Sequence, residues 1–300
     1  MTDLNMLTKC NLCIRNCNIN RYEKTGACNS GKNIKIARAA LHFYEEPCIS
    51  GKNGSGTVFF SNCNLKCVFC QNSDISQDGN GIEISIERLS EIFLELQHKG
   101  ANNINLVTPT SYVPQIIESL KIAKSNGLKI PIIYNTNSID SLDTIKSLNG
   151  LIDVYLPDFK YFDDKYAKEY SKVSNYSKNA LNVIKEMVKQ TGKPIFNNDG
   201  LITKGVIIRH LLLPGLLFDS KKVVDLIYST FKDDIYISLM NQYVPLFEAY
   251  KYPEINKTLN PKLYDSLIDY ALSIGIKNGF IQGEGSNSIE FIPKFNNEGC

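Results

Sequence analysis

The sequence predicts an α/β fold whose strands form a parallel sheet, closed into a full or partial barrel, behind an N-terminal segment dense in cysteine. Three observations predict it. Six apolar, β-branched runs alternate with stretches of helical periodicity. Eight of the nine cysteines lie within the first 70 residues. Polar residues stand directly after each of the later runs, at the strand ends where such sheets keep their chemistry.

The runs are TVFFS (57–61), NINLV (103–107), IPIIY (130–134), LIDVYL (151–156), VIIRHLLL (206–213) and IYISLM (235–240). Between them, residues 86–100 place Leu89, Ile92, Phe93 and Leu96 on one helical face, and Gly100 marks the stop. Residues 114–127 open on Pro114 and close on Gly127. Further helical stretches cover 139–150, 176–192 and 220–231. The strand ends carry Thr108-Pro109-Thr110, Asn135-Thr136-Asn137, Pro157 to Lys160, Pro214-Gly215 and Asn241 to Tyr243. Residues 51–57, GKNGSGT, precede a strand and lack GxxxxGK[ST], so they predict a flexible loop and not a phosphate cradle.

Composition narrows the function. The 300 residues are 43% hydrophobic and 21% charged, enough for a sizeable core. Lys plus Arg number 33 and Asp plus Glu 31, a net charge of +2, so no broad field draws nucleic acid or an acidic membrane. The most apolar stretch, 205–218, is too short to span a bilayer and is broken by Arg209, His210 and Pro214. The first ten residues lack a signal pattern, and a reducing cytoplasm is the expectation. With three histidines and no HExxH, histidine-based zinc catalysis is excluded.

An odd number of cysteines without an export signal argues against a disulfide framework and for metal or redox chemistry. The tightest group is CNLKCVFC, with Cys63, Cys67 and Cys70. Thiolates suit zinc or iron–sulfur clusters. A zinc site would need a fourth ligand, and none follows locally. Three thiolates on a [4Fe–4S] cube leave one iron free to bind a small molecule. Cys10, Cys13, Cys17 and Cys28 form a separate set, suited to structural zinc or to a second iron–sulfur cluster, with free thiols as the alternative. Cys48 and Cys300 read as ordinary thiols.

CNLKCVFCQN resembles the CxxxCxxC signature of the radical S-adenosylmethionine (SAM) superfamily, and Phe69 before the last cysteine fits it too. EEPCISG (45–51), GSGTVFF (54–60), NINLVTPT (103–110), YLPDFKY (155–161), IRHLLLPG (208–215) and SLMNQY (238–243) extend the resemblance to the pyruvate formate-lyase activating enzyme-like branch, over roughly residues 10–245. The resemblance implies a partial (β/α)6 radical SAM barrel. It divides the chain into a cysteine-rich segment (1–50), a core barrel (51–250) and a C-terminal extension packed on the barrel (251–300).

The resemblance also implies a mechanism. The open iron binds the amino and carboxylate groups of SAM, and one electron cleaves the sulfonium to give methionine and a 5′-deoxyadenosyl radical, which takes hydrogen from a substrate. Cys63, Cys67 and Cys70 match the cluster ligands. Phe69 would lie beside the adenine. Thr108 and Thr110 stand where many relatives have Gly-Gly-Glu, which implies contact with the methionyl amino group. Asn135 falls where the ribose is held. Asp158 and Lys160 resemble the Asp-x-Lys of activating enzymes, whose lysine pairs with the methionyl carboxylate, and two residues apart on an extended segment they share a face. His210 matches a histidine at the same sheet end. Ser111 replaces a histidine that often follows Thr-Pro-Thr.

Three functions compete. The first is an activase that takes hydrogen from a glycine of a partner glycyl radical enzyme. The second modifies a peptide, lipid or small metabolite. The third is not an enzyme: an iron–sulfur electron carrier or zinc-binding module. For either enzyme the resemblance implies a flavodoxin or ferredoxin as electron donor.

Overall fold

A computed structural model describes residues 3–283, 285, 286 and 288–300 of the chain. All six predicted runs are strands in one sheet. The chain enters it through β1 (Ile34–His42), passes a short helix α1 (Pro47–Ser50), and forms β2 (Ser55–Phe60). After the cysteine loop come α2 (Ser73–Ser76), β3 (Ile82–Ile84) and α3 (Ile86–His98). The alternation continues with β4 (Ile104–Val107), α4 (Val113–Ser125), β5 (Ile132–Thr136), α5 (Leu142–Ser147) and β6 (Val154–Pro157). Two helices follow, α6 (Asp164–Ser171) and α7 (Tyr176–Thr191), then β7 (Ile195–Phe196), β8 (Ile202–Leu211), α8 (Leu217–Phe231), β9 (Tyr236–Met240), α9 (Pro261–Ser273) and β10 (Gly279–Ile281).

The strand order is β10-β9-β8-β6-β5-β4-β2-β1-β3, with β7 on β8. From β2 to β10 successive neighbours are parallel, while β1 and β3 add an antiparallel margin. Segment 1–50 thus contributes a strand to the sheet, and segment 251–300 contributes β10. β2 starts at Ser55, earlier than the sequence predicts, because Gly56 lets β2 approach β4. A Cβ there would stand 2.8 Å from the Asn103 carbonyl oxygen.

Alternation of side chains separates two faces. Val58, Leu106, Tyr134, Tyr155 and Ile208 pack into the main core with the helices. Ile133, Val154, Leu156 and Ile207 point the other way and bury Cys48 and Ile49 of α1, which fills the concave side. Above this plug Arg209 reaches from β8 to Glu45 and Glu46 beyond β1, its Nε donating to Glu46 at 2.9 Å, while Asn105 of β4 donates to Glu45 at 2.9 Å. Contacts that cross from β8 to β4 require a curved sheet, and these groups seal its floor. Burial opposes the Arg209 charge, but the two carboxylates hold its pKa well above the ordinary value.

Helix termini follow local chemistry. Ser85 accepts the Arg88 N–H and caps α3, Ser141 caps α5 through the Thr144 N–H, and Asp163 caps α6 through the Lys165 N–H. After β10 the chain crosses back toward the other side of the sheet. Phe291 meets Tyr44 with ring centroids 5.0 Å apart, and Phe295 meets Phe59 at 5.3 Å. Asn297 donates to the Ala37 carbonyl, and the Ala39 N–H donates to the Glu298 carbonyl.

Candidate active site

The cysteine loop leaves β2 through Asn62, whose φ of 68° lies in the left-handed region that asparagine tolerates. Leu65 and Val68 turn inward and are buried in the core. The N–H groups of Lys66 and Val68 donate to the carbonyls of Ser171 and Tyr170 at 3.2 and 2.8 Å, which fastens the loop to the end of α6. Backbone hydrogen bonds and two apolar anchors therefore fix eight residues that carry no regular structure.

Each sulfur meets hydrogen-bonding groups. Cys67 Sγ lies 3.0 Å from Ser171 Oγ, and Cys70 Sγ lies 3.1 Å from Ser76 Oγ. Cys63 Sγ accepts from the Leu65 N–H at 3.4 Å and from Asn137 Nδ2 at 3.5 Å. Burial pushes the Cys63 thiol up to about 12 and Cys67 to about 11, and charge on each neighbouring sulfur adds to the rise. Burial likewise raises Cys70. Three thiols, Cys67 buried and Cys63 and Cys70 half-buried, each with a hydrogen-bonding partner suited to a thiolate, fit the donor set of an iron–sulfur cluster. Among the described residues, no three Cys, His, Asp or Glu side chains converge on a single ion. A cube asks less, because it offers each thiolate a separate iron.

The strand ends bring the remaining residues up to this loop. Lys160 Nζ donates to Asp158 Oδ2 at 2.6 Å, so the two share a face as their spacing predicts. Burial works against the Lys160 charge, but Asp158 and the nearby Cys67 sulfur hold its pKa above the ordinary value. Tyr176 fixes the pair from behind. Its hydroxyl accepts the Lys160 N–H at 2.9 Å and donates to the Asp158 carbonyl at 2.9 Å. Asp158 also bridges to Arg209 in parallel register, which sets His210 beside this turn. His210 Nδ1 bonds the Phe159 carbonyl at 2.7 Å. Burial, with Lys160 nearby, brings the imidazole down to about 4, so it is neutral and Nδ1 carries the proton. Among the described residues its buried Nε2 has no partner, and it can accept a hydrogen bond from a ligand.

The two threonines part company. Thr108 has φ +59°, a rare conformation for a β-branched residue, held by its N–H donating to the Asn135 carbonyl at 3.0 Å. Glycine adopts that conformation freely, whereas threonine holds it at a cost. Thr108 is half-buried beside the half-buried Asn135. Thr110 is buried, with its hydroxyl 3.5 Å from Thr136, which in turn donates to Asp140 at 2.5 Å. Phe69 is buried with its ring centroid 5.8 Å from that of Tyr243.

Asn137, Ser171, Ser76 and Tyr176 were not singled out by the sequence as site residues. Asn137 stands in the polar run after β5 and could have been found there. Ser171 gives no local signal, being a helix-terminal serine 104 residues from its sulfur partner.

A concave parallel sheet, three cysteines at the end of its first parallel strand and a half-buried ammonium beside them suit a cluster and a cofactor that carries a carboxylate. The radical SAM superfamily profile matches residues 57–227, and the chain belongs to that superfamily. Membership implies a [4Fe–4S] cluster and SAM, and SAM-dependent radical chemistry. The chain is 31% identical over 279 residues to uncharacterized protein MJ0674 of Methanocaldococcus jannaschii, covering 89% of this chain and 75% of that one. Streptococcus suis SuiB, solved bound to the precursor peptide SuiA, shares the fold with a TM-score of 0.50 and 18% identity over 75% of this chain. The match covers 47% of SuiB, so the chain spans about half its length. Among the described residues no helix is long and apolar enough to cross a membrane.

Proposed function

We propose that the protein is an activase, using SAM to take a hydrogen atom from a glycine of a partner glycyl radical enzyme. The observation that carries this reading is the Lys160–Asp158 pair, an Asp-x-Lys half-buried next to Cys67. When bound at Cys63, Cys67 and Cys70, the cluster supplies the electron that splits SAM into methionine and a 5′-deoxyadenosyl radical. The protein's own groups hold and shield. Lys160, steadied by Asp158, pairs with the methionyl carboxylate. Thr108 faces the methionyl amino group, and Thr110 supports that strand end through Thr136. Asn135 takes the ribose and Phe69 flanks the adenine, while His210 offers Nε2 as a neutral acceptor. Arg209, Glu45 and Glu46 close the floor against water. A reduced flavodoxin or ferredoxin is the proposed donor, in a cytoplasmic setting.

The test is anaerobic incubation with SAM, reductant and candidate partners, reading the glycyl radical by electron paramagnetic resonance. A glycyl signal that depends on both SAM and partner supports the activase. Its absence with every candidate, while 5′-deoxyadenosine still accumulates, rejects it. One observation favours a smaller substrate: Phe295 on Phe59, with Asn297 and Glu298 on β1, walls the concave side. A peptide, lipid or metabolite that stimulates 5′-deoxyadenosine formation without a protein partner would establish that reading instead.

A further inference from the structure

The N-terminal cysteines are gathered although almost nothing regular gathers them. Between the 3-10 turn Asp3–Leu7 and β1 the chain has no helix or strand, only an isolated bridge from Cys13 to Asp140. Yet Cys10, Cys13, Cys17 and Cys28 line one cavity of about 10 Å³. Tight turns shape it. The Asn16 N–H returns to the Cys13 carbonyl at 3.0 Å, and the Asn29 N–H to Gly26 at 2.9 Å, with Asn16, Asn18 and Asn29 all at positive φ. Gly26 lies between two of the sulfurs, since a Cβ there would stand 3.5 Å from Cys17 Sγ and 3.7 Å from Cys28 Sγ. The Ala27 N–H donates to Cys17 Sγ at 3.5 Å, a bond typical of thiolate knuckles.

We propose that Cys10, Cys13, Cys17 and Cys28 bind one zinc ion as a tetrathiolate. Four thiolates complete the tetrahedral shell of a single zinc ion, and the cavity that they line takes one water-sized body. The four sulfurs line one cavity, and zinc–thiolate bonds of roughly 2.3 Å would draw them onto one ion. Binding displaces the thiol protons and supplies the order that a stretch poor in large apolar residues lacks.

The knuckle also touches the catalytic loop. Arg15, between Cys13 and Cys17, donates through Nε to the Asn64 carbonyl and through a terminal nitrogen to the Lys172 carbonyl at 3.0 Å. Asn64 follows Cys63 and accepts from Asn137 at 2.7 Å. Arg21 donates to the Ser111 carbonyl in the 3-10 turn that follows β4. Zinc at this place buttresses the cluster loop from outside.

The experiment is metal and sulfide analysis of the full chain after anaerobic reconstitution, comparing wild type with the Cys63→Ala/Cys67→Ala/Cys70→Ala variant. That variant should lose all iron and sulfide and keep one zinc per chain. The Cys10→Ala/Cys28→Ala variant should lose the zinc. Should the latter not fold, cobalt(II) loaded into the triple variant gives the answer alone: tetrahedral thiolate bands support the site. Residual iron with sulfide in the triple variant, or no metal and no cobalt bands, overturns the proposal. Failure of the activase reading would leave these results untouched, because none of them reads activity.

Discussion

The chain binds its cysteines in two ways. Residues 63–70 hang on finished architecture: a strand end behind them, Leu65 and Val68 in the core, and two backbone hydrogen bonds to the end of α6. Residues 10–28 have turns, positive-φ asparagines and few apolar anchors. The first set is held in place by the barrel. The second is an irregular segment held by turns and by the hydrogen bonds of Arg15 and Arg21. The difference teaches that ligands at a strand end inherit their order from the sheet, whereas ligands on turns need order from another source, which the proposed zinc would supply.

The largest effect should come from Cys67→Ala. It removes a cluster ligand but little packing, so SAM cleavage should vanish while the thermal midpoint moves by only ~2–4 °C, as for a loss of about 1 kcal/mol in a chain of this size. Cys28→Ala should show the reverse, a midpoint drop several times larger. Equal midpoint shifts for the two variants, by calorimetry on anaerobic protein, would break the distinction.

Lys160→Met tests whether the scaffolded side also binds SAM. A charged hydrogen bond to a carboxylate is worth roughly 1.5–3 kcal/mol, so the SAM dissociation constant should rise about ten- to hundredfold. Equilibrium dialysis under anaerobic conditions measures it. An unchanged constant would take Lys160 out of the site.

How far the sequence carried this reading also differs between the two regions. Six of the parallel strands were legible because β-branched runs such as IPIIY and VIIRHLLL cannot be mistaken for polar loops, while the three-residue β10 was not. β1 was not, since alanines and an arginine dilute its alternation. Asp158 and Lys160 were legible because a spacing of two on an extended chain fixes a shared face. Thr110 read as a partner of Thr108, but the turn at Thr108 sends it into the Asp140 network. Ser171 and Asn137 were silent because their sulfur contacts span 104 and 74 residues, and only the folded sheet creates them. The wall that Phe295 builds on Phe59 was silent for the same reason.

A third prediction sharpens the comparison along pH. The folded barrel holds the His210 pKa at about 4, mainly through burial, against an ordinary 6.5. As pH falls through 6.5 the unfolded chain takes up this proton, and the folded chain refuses it until about 4. His210 therefore contributes stability that is intact above 6.5 and lost progressively below it, on the order of 2 kcal/mol by pH 5. His210→Asn keeps a donor for the Phe159 carbonyl and removes the titration. Its stability, from urea midpoints between pH 7 and 5, should fall less steeply than that of wild type. Parallel slopes would mean that the folded imidazole takes up its proton at the same pH as the unfolded one.

The smallest effect concerns how the scaffold tunes what it holds. Tyr161 OH lies 2.8 Å from Ser171 Oγ, which lies 3.0 Å from Cys67 Sγ. A thiolate can only accept, so Ser171 donates to the sulfur and Tyr161 donates to Ser171. Hydrogen bonds to ligand sulfur favour the reduced, more negative cluster. Ser171→Ala removes one such bond, worth about 1 kcal/mol, and for a one-electron couple that is a potential lower by roughly 40 mV. Tyr161→Phe should shift it in the same direction by less, since it acts through Ser171. A redox titration followed by electron paramagnetic resonance orders the three proteins. A potential that rises, or a Tyr161→Phe shift larger than that of Ser171→Ala, would show that Ser171 does not tune the cluster through a hydrogen bond to the Cys67 sulfur.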